Sequence, residues 1–370
     1  MKWKILNSIK TLEFVLIFSL ISSSVVNAQW NAKTEDWSKN LHPQIGDWGF
    51  NRPGYPKGLY IHGVTVMQGD SVINPIIYDN DVYNDVFDDE LVYVMASLGE
   101  LNLKALIVTP VLTDFWGFSK PEWIKTAIES RDYAQSSGIN MKRIPAITIG
   151  TEAENEKAGE QKESAGALLY VKIINDWYER HPDRPVLVNI GGQSATLASA
   201  FCIDPGIADK CIVYYTDVRV YNGHYQWASK LITQNFRVIS WGDDNWWISK
   251  KAQNHWRVLP CPEYPESQDN NKMSGEWKLF TEMQVPLLEH MIYQFQNRYE
   301  YCCREGKGDG YLDGTFIHAW LPGIFSDAEI KNIRGGNVIH ITRFDEENEA
   351  LVKSFTFRKF LNPRAYLQEE

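Results

Sequence analysis

The chain has 370 residues, with 37 Lys and Arg against 47 Asp and Glu, and 44% of it is apolar. That is material for one large domain or two small ones with a real core, and it excludes a disordered chain, a collagen and a coiled coil. A net charge of −10 argues against nucleic acid as a partner, because counterion release needs clustered Lys and Arg and this field repels phosphate.

Residues 1–28 read as a secretory signal peptide. Lys2, Lys4 and Lys10 make a basic start, Phe14 to Ile21 is an apolar stretch broken only by Ser19, and Val26-Asn27-Ala28 is a small-x-small ending. The apolar core is shorter than the roughly 20 residues that span a bilayer. The expectation is cleavage after Ala28 and a secreted or periplasmic protein with no membrane partner. Removing three lysines and Glu13 takes the charge from −10 to −12. Residues 29–72, rich in Trp, Asn, Pro and Gly, read as an N-terminal arm, and 73–370 as the domain proper.

Five cysteines define no framework. Cys202 and Cys211 flank Asp204-Pro205-Gly206, which suggests a local disulfide in an oxidising compartment. Cys261, Cys302 and Cys303 leave an odd thiol, and no C-x-x-C or His spacing supports zinc.

From Pro75 a rhythm begins. Pro75-Ile76-Ile77-Tyr78 is an apolar run ending in acid, Leu91 to Leu98 is apolar at helical spacing, and Leu103 to Thr109 is a buried strand. Pro121 opens a helix that Gly138 closes. Ile144 to Ile149 is the next strand, and a Glu-rich loop leads into the helix Ser164 to Arg180. Val186 to Ile190 (strand), Ser194 to Phe201 (helix), Ile212 to Tyr215 (strand), Tyr225 to Asn235 (helix) and Val238 to Trp241 (strand) follow. Strands alternating with helices predict an α/β fold, a single doubly wound and mostly parallel sheet covered on both faces. The stretch 242–277 reads as a long loop, Val285 to Tyr301 as a helix, and Gly336 to Phe344 with Leu351 to Phe360 as a C-terminal β-hairpin turning through Asp345 to Asn348.

The chemistry-bearing feature is Asp79-Asn80-Asp81-Val82-Tyr83-Asn84-Asp85-Val86-Phe87-Asp88-Asp89, five carboxylates in eleven residues between a strand and a helix. Such a concentration is unfavourable unless a cation or a helix N-terminus compensates it. A solvated, helix-capping turn accounts for Asp88 or Asp89 but not for Asp79 and Asp81 alternating off a buried strand end. All-oxygen donors on a loop suit Ca²⁺ before Mg²⁺. The loop is no EF-hand, since the mid-loop Gly and the terminal Glu are missing.

Ile76 to Asp81, then Asp88-Asp89 opening an apolar helix, then Leu103 to Thr109, resembles the N-terminal signature of the inosine/uridine-preferring nucleoside hydrolases, D-x-D leading to D-D. Pro185 to Ala198 is similar to that family's strand, G-P-L-T-N turn and helix. The resemblance implies a Ca²⁺-dependent hydrolysis of an N-ribosidic bond. Asp81 matches the metal-ligating aspartate that also takes a proton from the attacking water, Asp89 the second metal carboxylate, and Asp88 the carboxylate that holds ribose hydroxyls. Ser194 falls where a Thr offers its backbone carbonyl to the metal, and Asn222 matches an asparagine that binds the sugar. Trp241, Trp246 and Trp247 are candidates for stacking on the leaving base.

Two departures stand beside the match. An extra residue between Asp81 and the Asp88-Asp89 pair, with Tyr83 where the family has Gly, leaves a register open in which Asp85 replaces Asp88. Near the C-terminus the family's His-Asp pair meets His318-Ala319. His318 is then the candidate acid, while Ala319 ligates nothing and Asp309 or Asp313 would have to move in. The alternative to a hydrolase is therefore a non-catalytic sugar- or glycan-binding protein on the same scaffold. Either way the partner is a small nucleoside or sugar; a homo-oligomer stays open. A serine hydrolase is disfavoured because no G-x-S-x-G follows a strand, and a dinucleotide site because acid stands where G-x-G-x-x-G is needed.

Overall fold

The computed structural model describes residues 75–80, 88–99, 101–109, 120–151, 163–182, 185–215, 226–240, 276–293, 325–344, 360 and 362–367. The expected signal peptide and N-terminal arm lie outside the described residues. No helix among those described is long and apolar enough to cross a membrane.

Among the described residues eight strands form one sheet: β1 Pro75–Asn80, β2 Asn102–Val108, β3 Ile147–Ile149, β4 Val186–Ile190, β5 Cys211–Tyr215, β6 Arg237–Ser240, β7 Phe325–Ile333 and β8 Gly336–Phe344. Their order is β3-β2-β1-β4-β5-β6-β8-β7. Neighbours from β3 through β6 to β8 pair in parallel, and β7 closes the edge antiparallel to β8. The helices are α1 Asp88–Ser97, α2 Lys120–Ser136, α3 Ala165–Arg180, α4 Ala195–Ile203, α5 Gln226–Asn235, α6 Glu276–Met283, α7 spanning 286–293, and the short α8 Pro363–Tyr366.

The alternation of adjacent side chains shows why the central strands read as largely apolar runs, with exceptions such as Lys104 and Asn189. In β2, Ile107 packs into the core beneath α3 with Tyr170, Ile174 and Trp177, whereas Val108 packs with Ala127 of α2. Each face of the sheet thus has its own helical layer, and a strand between two layers has no polar side. On α3 those three residues recur at i, i+4 and i+7, the spacing of one buried stripe. Ser164 caps the helix, its Oγ accepting the Ala167 N–H at 3.1 Å, a contact worth about 1 kcal/mol. Gly138, at φ 81°, ends the turn after α2, as its place in the sequence predicts.

The doubly wound parallel sheet is as expected; three details differ. The strand expected from Ile144 is only Ile147–Ile149, because Met141–Arg143 is a 3₁₀ turn capped by Asn140. Gly336 to Phe344 is a strand, but its hairpin partner is the preceding β7, through a tight Arg334-Gly335 turn with both residues at positive φ. Residues 351–359 lie outside the described residues. Cys202 and Cys211 are free thiols. Cys211 begins β5 inside the core, with its thiol toward the Ile207 carbonyl at 3.4 Å, so no disulfide staples this turn.

Candidate functional site

The chain winds outward from β1 through β2 to β3, then returns to lay β4 against the other side of β1. The connections after β1 and β4 therefore leave in opposite directions, and the crevice between their carboxyl ends is the topological switch point where open α/β sheets bind ligands. At that crevice the chain places Asp79-Asn80 on one side and Gly191 to Ser194 on the other. Pairing persists to the rim: the Gly191 N–H donates to the Asp79 carbonyl at 2.9 Å, and the Thr109 N–H to the Asn80 carbonyl at 3.1 Å.

The Asp79 side chain is buried beneath the crevice. Thr109 Oγ1 donates to Asp79 Oδ1 at 2.5 Å and the Tyr170 hydroxyl donates to Oδ2 at 2.9 Å. Thr109 has spent its proton on the carboxylate, so its 2.6 Å contact with Thr196 Oγ1 must be donated by Thr196. Thr196 Oγ1 accepts in turn the Thr151 N–H at 2.9 Å. Every donor in this chain points toward the carboxylate, and aligned hydrogen bonds polarise one another. A further contact at 2.8 Å links Thr151 Oγ1 to Ser164 Oγ, the cap of α3. One buried hydroxyl network thereby joins the ends of β1 and β2, the chain after β3, and the first turns of α3 and α4. Burial first, and then the Asp79 charge and its hydrogen bond, push the Tyr170 phenol well above its ordinary value, so Tyr170 stays a donor throughout the working pH range.

Gly150 makes this packing attainable. A Cβ there would overlap Thr109 Oγ1 and Thr196 Oγ1 and lie 3.2 Å from the Val108 carbonyl. At Gly166, in the first turn of α3, a Cβ would lie 2.9 Å from the Gly150 Cα, so helix and strand end meet backbone to backbone.

The expected site residues fall into three groups. Asp89 is buried in the first turn of α1, where the helix dipole favours a carboxylate. After burial, its charge is the next cause that raises the Tyr93 phenol one turn on, with Glu90 behind it. Asp88 opens the same helix. Ser194 is fully buried at the N-cap of α4, yet its hydroxyl does not cap: it accepts from the Tyr215 hydroxyl at 3.1 Å, and the Gln193 side chain takes the Ala195 N–H at 2.6 Å instead. The Ser194 carbonyl, the atom expected at a metal, already accepts the Ala198 N–H at 3.0 Å, which leaves one lone pair. Asp81, Asp85, Asn222, His318 and the tryptophans 241, 246 and 247 lie outside the described residues.

Among the described residues no three His, Cys, Asp or Glu side chains converge as a metal cluster would. Asp79 is committed to Thr109 and Tyr170, and Glu90 turns inward to Ser130 Oγ at 3.3 Å and His290 Nδ1 at 3.6 Å. Asp89, buried in the first turn of α1, is the described carboxylate that the resemblance assigns to a cation. As an oxygen donor it fits a hard one, which would need Asp81 to complete a pair. Thr109, Thr196 and Tyr170 were not singled out from sequence; for Thr109 and Thr196 the available signal was a hydroxyl at the end or in the first turn of an otherwise apolar element, and for Tyr170 its place on the buried face of α3.

No family model matches the sequence, and no curated protein does. Among solved structures the chain is similar to a plant nucleoside hydrolase, at 11% identity over 78% of this chain and 98% of the other, with a TM-score of 0.48. It is also similar to an inosine-uridine preferring nucleoside hydrolase from Bacillus anthracis, at 10% identity over 78% and 100% of the two chains and a TM-score of 0.46. A third is the type III effector protein XopQ complexed with adenosine diphosphate ribose, at 10% identity over 80% and 94% and a TM-score of 0.47. At such identities the chemistry has to be argued from this chain's own residues.

Proposed function

We propose that this protein is an exported hydrolase that cleaves the N-glycosidic bond of a ribonucleoside or related glycoside with a Ca²⁺-activated water. The observation that carries the reading is the acidic end of β1 at the topological switch point of a doubly wound sheet. There the carboxylates of Asp79 and Asp89 are already buried, and the D-x-D to D-D signature runs between them.

When bound, the cation supplies a lowered water pKa and a fixed geometry for the ribose diol. Asp81 and Asp89 would hold it, with the remaining lone pair of the Ser194 carbonyl. Asp81 takes the proton of the attacking water as general base, and Asp88 and Asn222 hold the sugar hydroxyls. Charge building on the sugar ring is oxocarbenium-like, and a carboxylate-lined crevice favours it. In this reading His318 protonates the departing base, and one of Trp241, Trp246 and Trp247 stacks on it.

The test is base and reducing-sugar release from a panel of purine and pyrimidine ribonucleosides by the purified mature chain, with Ca²⁺ and with a chelator. Turnover is expected only with Ca²⁺, and Asp81→Ala should lower it by about 10²–10⁴-fold. Binding of ribosides with no release from any of them would move the protein to the non-catalytic reading that Ala319 motivates.

A further inference from the structure

We propose that Asp79 is a positioning residue, not a metal ligand: bridged by Thr109 and Tyr170, its carboxylate sets the line along which the chain leaves β1 for the acidic loop.

The reasoning is geometric. Asp79 is 1% exposed, and each of its oxygens accepts a hydroxyl, from Thr109 at 2.5 Å and from Tyr170 at 2.9 Å. Each oxygen keeps a second lone pair, but the carboxylate lies beneath the crevice at 1% exposure, and reaching a cation there would turn it away from the core. The donors come from different elements, the end of β2 and the buried face of α3, so the carboxylate is held from two directions. Its own backbone carbonyl is fixed by Gly191 on the β4 side. The last described residue before the acidic loop is Asn80, whose side-chain amide donates to the Tyr78 hydroxyl at 2.7 Å on the opposite face. The chain therefore enters the loop clamped on both faces of the sheet. First-layer groups depend on such outer partners for orientation, and losing one typically costs about 10–100-fold in metal affinity or activity. The consequence for Asp81 rests on the proposed hydrolase reading; the clamp itself does not.

The two roles separate under substitution. Asparagine at 79 still bridges Thr109 and Tyr170, since each hydroxyl can donate to the amide oxygen or accept from its nitrogen, but it brings no charge to a cation. Asp79→Asn, Asp79→Ala and Tyr170→Phe would be compared by hydrogen–deuterium exchange of peptides spanning 80–90 without metal, by Ca²⁺ calorimetry, and by nucleoside kinetics. A positioning role requires faster exchange confined to those peptides in Asp79→Ala and Tyr170→Phe, with Asp79→Asn close to wild type. It also requires that Asp79→Asn retain Ca²⁺ affinity within a few-fold while Asp79→Ala loses about tenfold or more, with kcat falling more than KM rises. The inference is overturned if Asp79→Asn loses Ca²⁺ as completely as Asp79→Ala, or if Tyr170→Phe, the mildest change, leaves exchange in 80–90 unaltered. A wild-type chain that neither binds Ca²⁺ nor turns over nucleosides refutes the hydrolase reading alone, and the exchange data still decide the clamp.

Discussion

Substituting Gly150 by alanine probes the hydroxyl network without removing any of its polar groups. The added methyl would overlap Thr109 Oγ1 and Thr196 Oγ1 and press the Val108 carbonyl, 3.2 Å away. Those two hydroxyls sit 2.6 Å apart on buried threonines that also serve Asp79 and the Thr151 N–H, so neither can retreat without breaking a second bond. Overpacking of a tight core site costs about 1–3 kcal/mol, and each buried hydrogen bond lost adds about 1 kcal/mol. Gly150→Ala should therefore destabilise by about 2–4 kcal/mol, read as a lower urea midpoint at unchanged m-value. The double variant Gly150→Ala/Thr196→Ala removes the closest obstacle. It should be less unstable than the sum of the single changes, a coupling of more than about 0.5 kcal/mol. A loss under about 0.5 kcal/mol in Gly150→Ala, or strictly additive behaviour in the double variant, would refute the packing argument.

Asp204 accepts from Asn175 Nδ2 at 2.7 Å and from the Gly206 N–H at 2.9 Å, and chiefly the Asn175 bond holds its carboxyl below the ordinary 3.8. Its folded pKa is depressed, so the stabilisation is complete above 3.8 and fades as the pH falls through the lower folded value; the gap in stability between wild type and Asp204→Ala should shrink in acid, and a gap constant from neutral pH downward would contradict the assignment. Burial pushes the Cys211 thiol up to about 12 despite the Arg237 charge nearby, so peptide mapping after native alkylation at mildly alkaline pH should find Cys202 modified before Cys211, with equal rates arguing that β5 is not buried. Gly336, where a Cβ would run into the Thr233 carbonyl near the end of α5, should tolerate alanine poorly, by about 1–3 kcal/mol because backbone cannot yield as a side chain does; an unshifted thermal midpoint would show that the β7–β8 hairpin does not dock there.

The legibility of the fold follows burial. Central strands such as Val186–Ile190 and Cys211–Tyr215 lie between two helical layers, so almost every position is apolar, Asn189 being the exception, and the run is visible in isolation. β7 was missed because it is an edge strand of the described sheet: Phe325-Ser326-Asp327-Ala328-Glu329-Ile330-Lys331 carries charge at alternate positions, as an edge does, and reads as polar chain. The acidic Asp345 to Asn348 then looked like a better turn than Arg334-Gly335, although the glycine is the residue a positive-φ hairpin turn selects. The helix Glu276–Met283 was hidden for a different reason, since the Trp- and Pro-bearing stretch before it breaks any periodicity at its start.

At the site, the residues that sequence marks and the residues that structure marks are complementary sets. Charge clustering identifies Asp79, Asp81, Asp88 and Asp89, because repulsion among them demands an explanation from sequence alone. It cannot sort them, since all carboxylates look alike in a string of letters. Sorting needs the partners, and those are neutral hydroxyls 30 and 91 positions away in sequence, which no local pattern connects to Asp79. Thr109 and Tyr170 draw Asp79 into the core, and Ser130 draws Glu90 the same way. Asp89 keeps its place at the head of α1. Asp79, at the strand end, is held beneath the rim by these hydroxyls, and Asp89, in the first turn of the following helix, sits where the dipole favours a carboxylate.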